Sequence, residues 1–263
     1  MLEITSRDNP LVRDYVRLRE NRAFRRETGR FVLEGARLLG DALESGVRME
    51  TVFFTGEACE KHPALLASAR DGGARVCLVG DAVAAKLADT AAPQGVFAAA
   101  FMLDKAFALD KINLGGAYAA LENIRDPGNL GAVLRTAEAL GLSGVLLSAG
   151  CADIYAPKVV RASMGAVFRT AFFQTEDLPA ALSLLREKGL QTLAALAGGT
   201  TRLLTQLDLR GGVVAAIGNE GAGLSDACVD ACDPFTIPMK GRAESLNAAA
   251  AAAIILWEIM RSR

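Results

Sequence analysis

Histidine is almost absent from this chain: His62 is the only one in 263 residues. It sits beside Pro63, far in sequence from every polar loop below, so Ser–His and Cys–His catalysis have almost no material to work with. A surface or helix-start position is expected for it. A disulfide framework is missing as well. Cys59, Cys77, Cys151, Cys228 and Cys232 show no paired spacing, which points to a reducing cytoplasm. Cys228 and Cys232 stand one helical turn apart, but one histidine cannot complete a zinc site around them, and small buried side chains are expected instead. No membrane-spanning run is present, because the longest charge-free apolar stretch, 248–257, is too short. The opening 1–21, dense in Arg, Asp and Glu, carries no signal-sequence pattern. A formal net charge of −1 gives no overall attraction to nucleic acid.

What is present is a core and an uneven charge distribution. Hydrophobic residues make up 51% of the chain and charged residues 22%, enough for one large or two modest globular domains. Between positions 13 and 30 lie seven arginines (Arg13, Arg17, Arg19, Arg22, Arg25, Arg26, Arg30) against Asp14, Glu20 and Glu27. An arginine-only segment suits phosphate, since the planar guanidinium offers two donors at once. A solvated helix face answers to the same pattern.

Hydrophobic periodicity alternates strand and helix throughout. Strands are expected at 30–33, 50–55, 74–79 and 95–102, with helices from 10, from 35 to 46, at 63–70 and at 81–88. The mixed stretch 103–116 reads as a boundary, giving a small α/β domain over 1–105, a linker at 106–116 and a second domain over 117–263. In the second, strands at 118–121, 145–147, 168–173, 191–196, 213–217 and 235–238 alternate with helices at 129–140, 156–163, 179–188, 225–231 and from 248. That pattern predicts a mostly parallel sheet with helices on both faces. Ligands of such sheets bind at the strands' carboxyl ends.

Three polar loops fall at such ends. LENIRDPGNLGAVLRTAEALG (121–141) has a turn at Asp126-Pro127-Gly128 and Asn129 placed to cap the next helix, whose buried stripe leaves Arg135 outside. AAIGNEGAGLSD (215–226) places three glycines and Glu220 after an apolar strand, with Ser225 ready to cap a helix. Its spacing is not the dinucleotide fingerprint, and no P-loop lysine follows, which argues against a nucleotide-dependent oxidoreductase. IPMKGRAESLNAAAAAAIILW (237–257) is a polar loop running into an alanine-smooth helix that Ser245 or Asn247 can cap. Taken singly, Arg135 could be an exposed helix residue and Glu220 a solvated acid.

Together, N-x-x-x-x-x-R-T-A (129–137), G-N-E-G-x-G-L-S (218–225) and I-P-M…E-S-L-N (237–247) strongly resemble the three motifs of the SpoU/TrmH family of RNA ribose 2′-O-methyltransferases, in the SPOUT class. The N-terminal stretch 6–39 resembles, more loosely, that family's substrate-binding domain, as in members acting on large ribosomal RNA. The resemblance implies a knotted C-terminal parallel sheet, a homodimer in the cytoplasm, S-adenosyl-L-methionine as cofactor, RNA as substrate, and neither metal nor membrane. It implies Arg135 as the catalytic residue, with Asn129, Glu220, Ser245 and Asn247 in support. Glu220 and Asn129 would orient the guanidinium. Cofactor contacts would come from Ala194, Ala197, Gly198, Gly218, Asn219, Glu220, Gly221, Ile237, Met239, Ser245 and Leu246, and RNA contacts from Arg13, Arg17, Arg22, Arg25, Arg26 and Arg30. Transfer RNA as substrate, a base as acceptor, or a non-catalytic RNA-binding module are the alternatives that motif matching leaves open.

Overall fold

The computed structural model describes residues 1–103, 109, 112–198 and 202–263. Part of the expected linker, 106–108, 110 and 111, lies outside the described residues. The chain forms two compact units, Met1–Asp104 with Asp153–Phe168, and Lys105–Ala152 with Arg169–Arg263.

The first unit is built on β1 (Leu2–Ile4), β2 (Arg30–Glu34), β3 (Met49–Phe54), β4 (Arg75–Val79) and β5 (Val96–Phe101), in the order β1-β4-β3-β5-β2. Only β5 runs antiparallel to its neighbours. Helix α1 (Pro10–Glu20) starts where Asn9 Oδ1 accepts from Leu11 N and Pro10 needs no hydrogen-bond partner. Its buried stripe is Val12, Tyr15 and Leu18, with Tyr15 edge-on to Phe53 and Phe97. Asn21 both closes α1 and caps α2 (Arg22–Thr28) by accepting from Phe24 N. That cap divides the arginine-rich segment into two helices, a break the periodicity did not reveal. Helices α3 (Ala36–Glu44), α4 (Gly56–Lys61), α5 (Pro63–Asp71) and α6 (Asp81–Leu87) complete this part. His62 lies at the junction of α4 and α5, at a helix start as expected.

Arg25 belongs to this unit's interior. It is 4% exposed, and its guanidinium donates to Asp153 Oδ2 at 2.9 and 2.7 Å and to the carbonyls of Leu18 and Arg19. Removing one partner of a buried pair leaves the other charge desolvated, so Arg25→Ala is expected to cost about 3–5 kcal/mol in urea unfolding.

Helix α8 (Pro157–Ala162) also packs here, against β2. The strand expected at 168–173 is corrected. Gly165 (φ +81°) turns the chain into a 3-10 segment, Ala166–Phe168, whose Phe168 packs near Phe31, and the strand begins only at Phe172.

The second unit is an entirely parallel sheet: β6 (Ala117–Leu121), β7 (Gly144–Ser148), β8 (Phe172–Thr175), β9 (Gln191–Leu196), β10 (Val213–Ile217) and β11 (Asp233–Thr236), ordered β11-β9-β10-β6-β7-β8. Tyr118, Ala120, Leu146, Ala194, Val214 and Ala216 face α9 (Leu178–Glu187) and α10 (Asp226–Asp230) in one apolar cluster. Alternation along the strands turns the remaining positions toward α7 (Pro127–Ala139) and α11 (Ala248–Arg261). Burial pushes the Cys228 thiol up to about 12 and Cys232 to about 11, so neither serves as a nucleophile at neutral pH. No helix among the described residues is long and apolar enough to cross a membrane. Chain order reverses beside β6, whose neighbours are β7 and β10, so the loops after β6 and β10 emerge side by side.

Candidate active site

The loop after β6 places its polar groups by a capping choice. Asp126, not Asn129, caps α7: its Oδ1 accepts from Asn129 N at 2.8 Å, with Pro127 at the first helical position. Asn129 therefore sits in the first turn, and its side chain is released from the capping role expected of it.

The loop after β10 folds back on itself. Gly223 N donates to Asn219 O, and Asn219 Oδ1 accepts from Gly221 N and Ala222 N at 2.9 Å each. A Cβ on Gly218 would stand 2.1 Å from the Gly223 carbonyl carbon and 2.4 Å from Leu224 N, so only glycine closes this ring. Ser225 then caps α10, as expected, by accepting from Cys228 N. Its own N–H and hydroxyl donate to Glu122 Oε2 and Oε1, both at 2.7 Å. Glu122 is a buried carboxylate immediately after β6 and was not among the expected site residues. Its partner lies 103 positions away, and only the fold brings them together.

Three of the expected catalytic residues meet across the three loops. Asn247 Oδ1 caps α11 by accepting from Ala249 N and Ala250 N. Its amide nitrogen must then point away from the helix, and it donates to Asn129 Oδ1 at 3.1 Å. Asn129 Nδ2 in turn donates to Glu220 Oε1. The backbone of α11 thus fixes the direction of a relay that ends on the Glu220 carboxylate. Asn247→Asp keeps the cap but replaces the donor with a second acceptor, which sets two oxygens against each other in the relay. It is expected to leave the melting temperature unchanged or higher while lowering catalytic turnover about tenfold or more.

A cavity of about 510 Å³ opens beside this relay. Its walls include Ala195–Gly198 at the end of β9, the ring from Gly218 to Leu224, Ile237 and Met239, the stretch Glu244–Leu246, and Ala248, Ala251 and Ile255 on α11. Of the residues expected to contact the cofactor, Ala197, Gly198, Gly218, Asn219, Glu220, Gly221, Ile237, Met239, Ser245 and Leu246 line this cavity. Ala194 does not. It points into the α9–α10 cluster on the opposite face, and Ala195 lines the cavity in its place. Ala248, Ala251 and Ile255 form one stripe of α11, at a helical spacing that sequence could have offered.

Arg135 stands apart from the relay. It is about 9 Å along α7 from Asn129 and about 120° round the helix. It is exposed, does not line the cavity, and forms no hydrogen bond or ion pair among the described residues. Asn129 and Glu220 hold each other rather than the guanidinium, contrary to expectation.

Of the arginines expected on RNA, Arg13, Arg17 and Arg26 are exposed in the first unit, with Arg17 stacked 3.8 Å over the Phe24 ring. Arg22 is half-buried. Arg25 and Arg30 are corrections: Arg25 is saturated by Asp153 and carbonyls, and Arg30 by Asp14 and Glu50, so neither fork is open to phosphate.

Residues 9–98 match the MRM3-like substrate binding domain, and residues 116–257 the SpoU rRNA Methylase family. A 23S rRNA (uridine(2479)-2′-O)-methyltransferase of Streptomyces viridochromogenes is 32% identical, over 99% of this chain and 92% of its own length. A 23S rRNA (guanosine(2553)-2′-O)-methyltransferase of Bacillus subtilis is 29% identical, over 98% and 99%. The crystal structure of an AdoMet-bound rRNA methyltransferase from Sinorhizobium meliloti superposes with a TM-score of 0.86 at 33% identity, covering 98% of this chain and 97% of that one. The chain belongs to the SpoU rRNA methylase family.

Proposed function

We propose that this chain transfers a methyl group from S-adenosyl-L-methionine to a ribose 2′-hydroxyl of large-subunit ribosomal RNA, with 1–105 capturing the RNA and 117–263 carrying the reaction. The relay Glu220–Asn129–Asn247 beside the cavity is the observation that carries this. The cavity suits the cofactor. Ile217, Leu224, Ile237, Leu246 and Ile255 offer apolar surface for its adenine, and the glycine ring lets main chain approach it closely. Bound S-adenosyl-L-methionine supplies a methyl already activated by sulfonium charge, so the protein's work is orientation, proton removal and exclusion of water.

Glu220, fixed through Asn129, orients the 2′-hydroxyl, and Ser245 offers its own hydroxyl from the cavity rim. Arg135 is the phosphate anchor. A guanidinium offers donors and no acceptor, so it is no general base and stabilises the developing alkoxide while the proton leaves through the neighbouring phosphate or solvent. Arg13, Arg17 and Arg26 hold RNA phosphates in the first unit. Ile254 and Trp257, both exposed and one turn apart on α11, support a homodimer paired through that helix.

The substrate class is tested by mapping 2′-O-methyl positions in cellular RNA with and without the gene. One 23S position is expected to lose its methyl. A loss confined to transfer RNA would replace the ribosomal assignment.

A further inference from the structure

The ionisable lining of the cavity is of one sign. Among the described residues, Glu220 and Glu244 line it, and no lysine, arginine or histidine does. A third carboxylate lies behind the glycine ring. Glu122 is 6% exposed, its oxygens accept from Ser225 N–H and Ser225 Oγ–H, and the neutral Cys228 thiol also reaches it. No cationic side chain among the described residues pairs with it. Neutral donors reduce the cost of burying a carboxylate but leave its charge uncancelled. Away from water that charge acts over a longer distance.

On the reading that this cavity takes S-adenosyl-L-methionine, the uncancelled charge has a use. The cofactor carries a zwitterionic amino-acid group and a sulfonium, for a net +1. The thioether left after transfer keeps the zwitterion and is neutral overall. The two ligands differ by one methyl and one positive charge, so shape alone separates them poorly. We propose that Glu122 is a specificity-determining residue that makes the cavity favour the sulfonium cofactor over the thioether product. It touches neither ligand and acts through its charge, which Ser225 holds in place. Transfer of the methyl removes the attraction, and the product is released on that account.

Calorimetric titration of the full chain without RNA tests this, with S-adenosyl-L-methionine and S-adenosyl-L-homocysteine as probes. Glu122→Gln is expected to weaken the sulfonium ligand about tenfold and the thioether less than about twofold, because only the sulfonium ligand loses a charge attraction. Ser225→Ala keeps the charge and is expected to shift both ligands by the same factor. Equal losses for both ligands in Glu122→Gln would show a merely structural role and overturn the proposal. If that variant does not fold, the wild type decides, with the ammonium analogue sinefungin set against the thioether: tighter cation binding supports the charge selection, and equal affinities overturn it. Failure of the wild type to bind any of the three would instead overturn the cofactor reading, and this inference with it.

Discussion

Arg135→Ala is expected to lower methyl transfer by about 10³-fold or more while leaving the affinity for S-adenosyl-L-methionine within about twofold. The separation follows from where Arg135 stands. It lies outside the cavity wall and contributes to no hydrogen bond among the described residues, so its loss disturbs neither the cofactor's seat nor the Glu220–Asn129–Asn247 relay. An arginine without a protein partner has its full fork available to a phosphate, and an anchored phosphate brings the adjacent 2′-hydroxyl into line. Single-turnover assays with labelled cofactor, set beside calorimetry, separate the two effects. Lysine in its place keeps the charge but loses the bidentate grip, so Arg135→Lys is expected to recover only part of the rate. Full turnover in the alanine variant would remove Arg135 from the chemistry.

Gly218→Ala is expected to abolish cofactor binding, weakening it by at least about 100-fold, together with a lower melting temperature. The added methyl would meet main-chain atoms of Gly223 and Leu224 at 2.1–2.4 Å, and no side-chain rotation relieves a clash with backbone. The ring must open, which breaks the Asn219–Gly223 pairing and moves Glu220 away from Asn129. The same substitution at Gly56 on α4, away from the cavity, where a Cβ meets nothing within 4 Å, serves as the control and is expected to be tolerated. Calorimetry on both variants checks the contrast. Normal affinity in Gly218→Ala would show that the ring is not a cradle for the cofactor.

Much of the site was legible because its chemistry is local. Glycines, cap residues and a few polar side chains cluster at strand ends, and each loop shows this within about ten residues. Misreadings arose where two local solutions compete or where the partner is remote. Asp126 and Asn129 both suit a helix cap, and Pro127 at the first turn favours Asp126. Ala194 and Ala195 are alike in sequence, so nothing in the alternation told which of them faces the cavity. Arg25 read as an RNA contact and Glu122 went unread because their partners, Asp153 and Ser225, lie 128 and 103 positions away. Helices α2 and α4 each abut a neighbouring helix across a single residue, Asn21 or His62, so no loop marks them off in the sequence. The strand order, by contrast, belongs to the three-dimensional structure, since β6 pairs on one side with the next strand, β7, and on the other with β10, four strands later in the chain.

The central claim is methyl transfer to a ribose 2′-oxygen, and alkaline hydrolysis tests it most directly. Purified protein, labelled S-adenosyl-L-methionine and 23S RNA lacking the modification are incubated, and the RNA is then digested with alkali. A 2′-O-methyl group blocks attack on the adjacent phosphodiester, so the account predicts all incorporated label in a single alkali-resistant dinucleotide. Label recovered in mononucleotides would place the methyl on a base and contradict it.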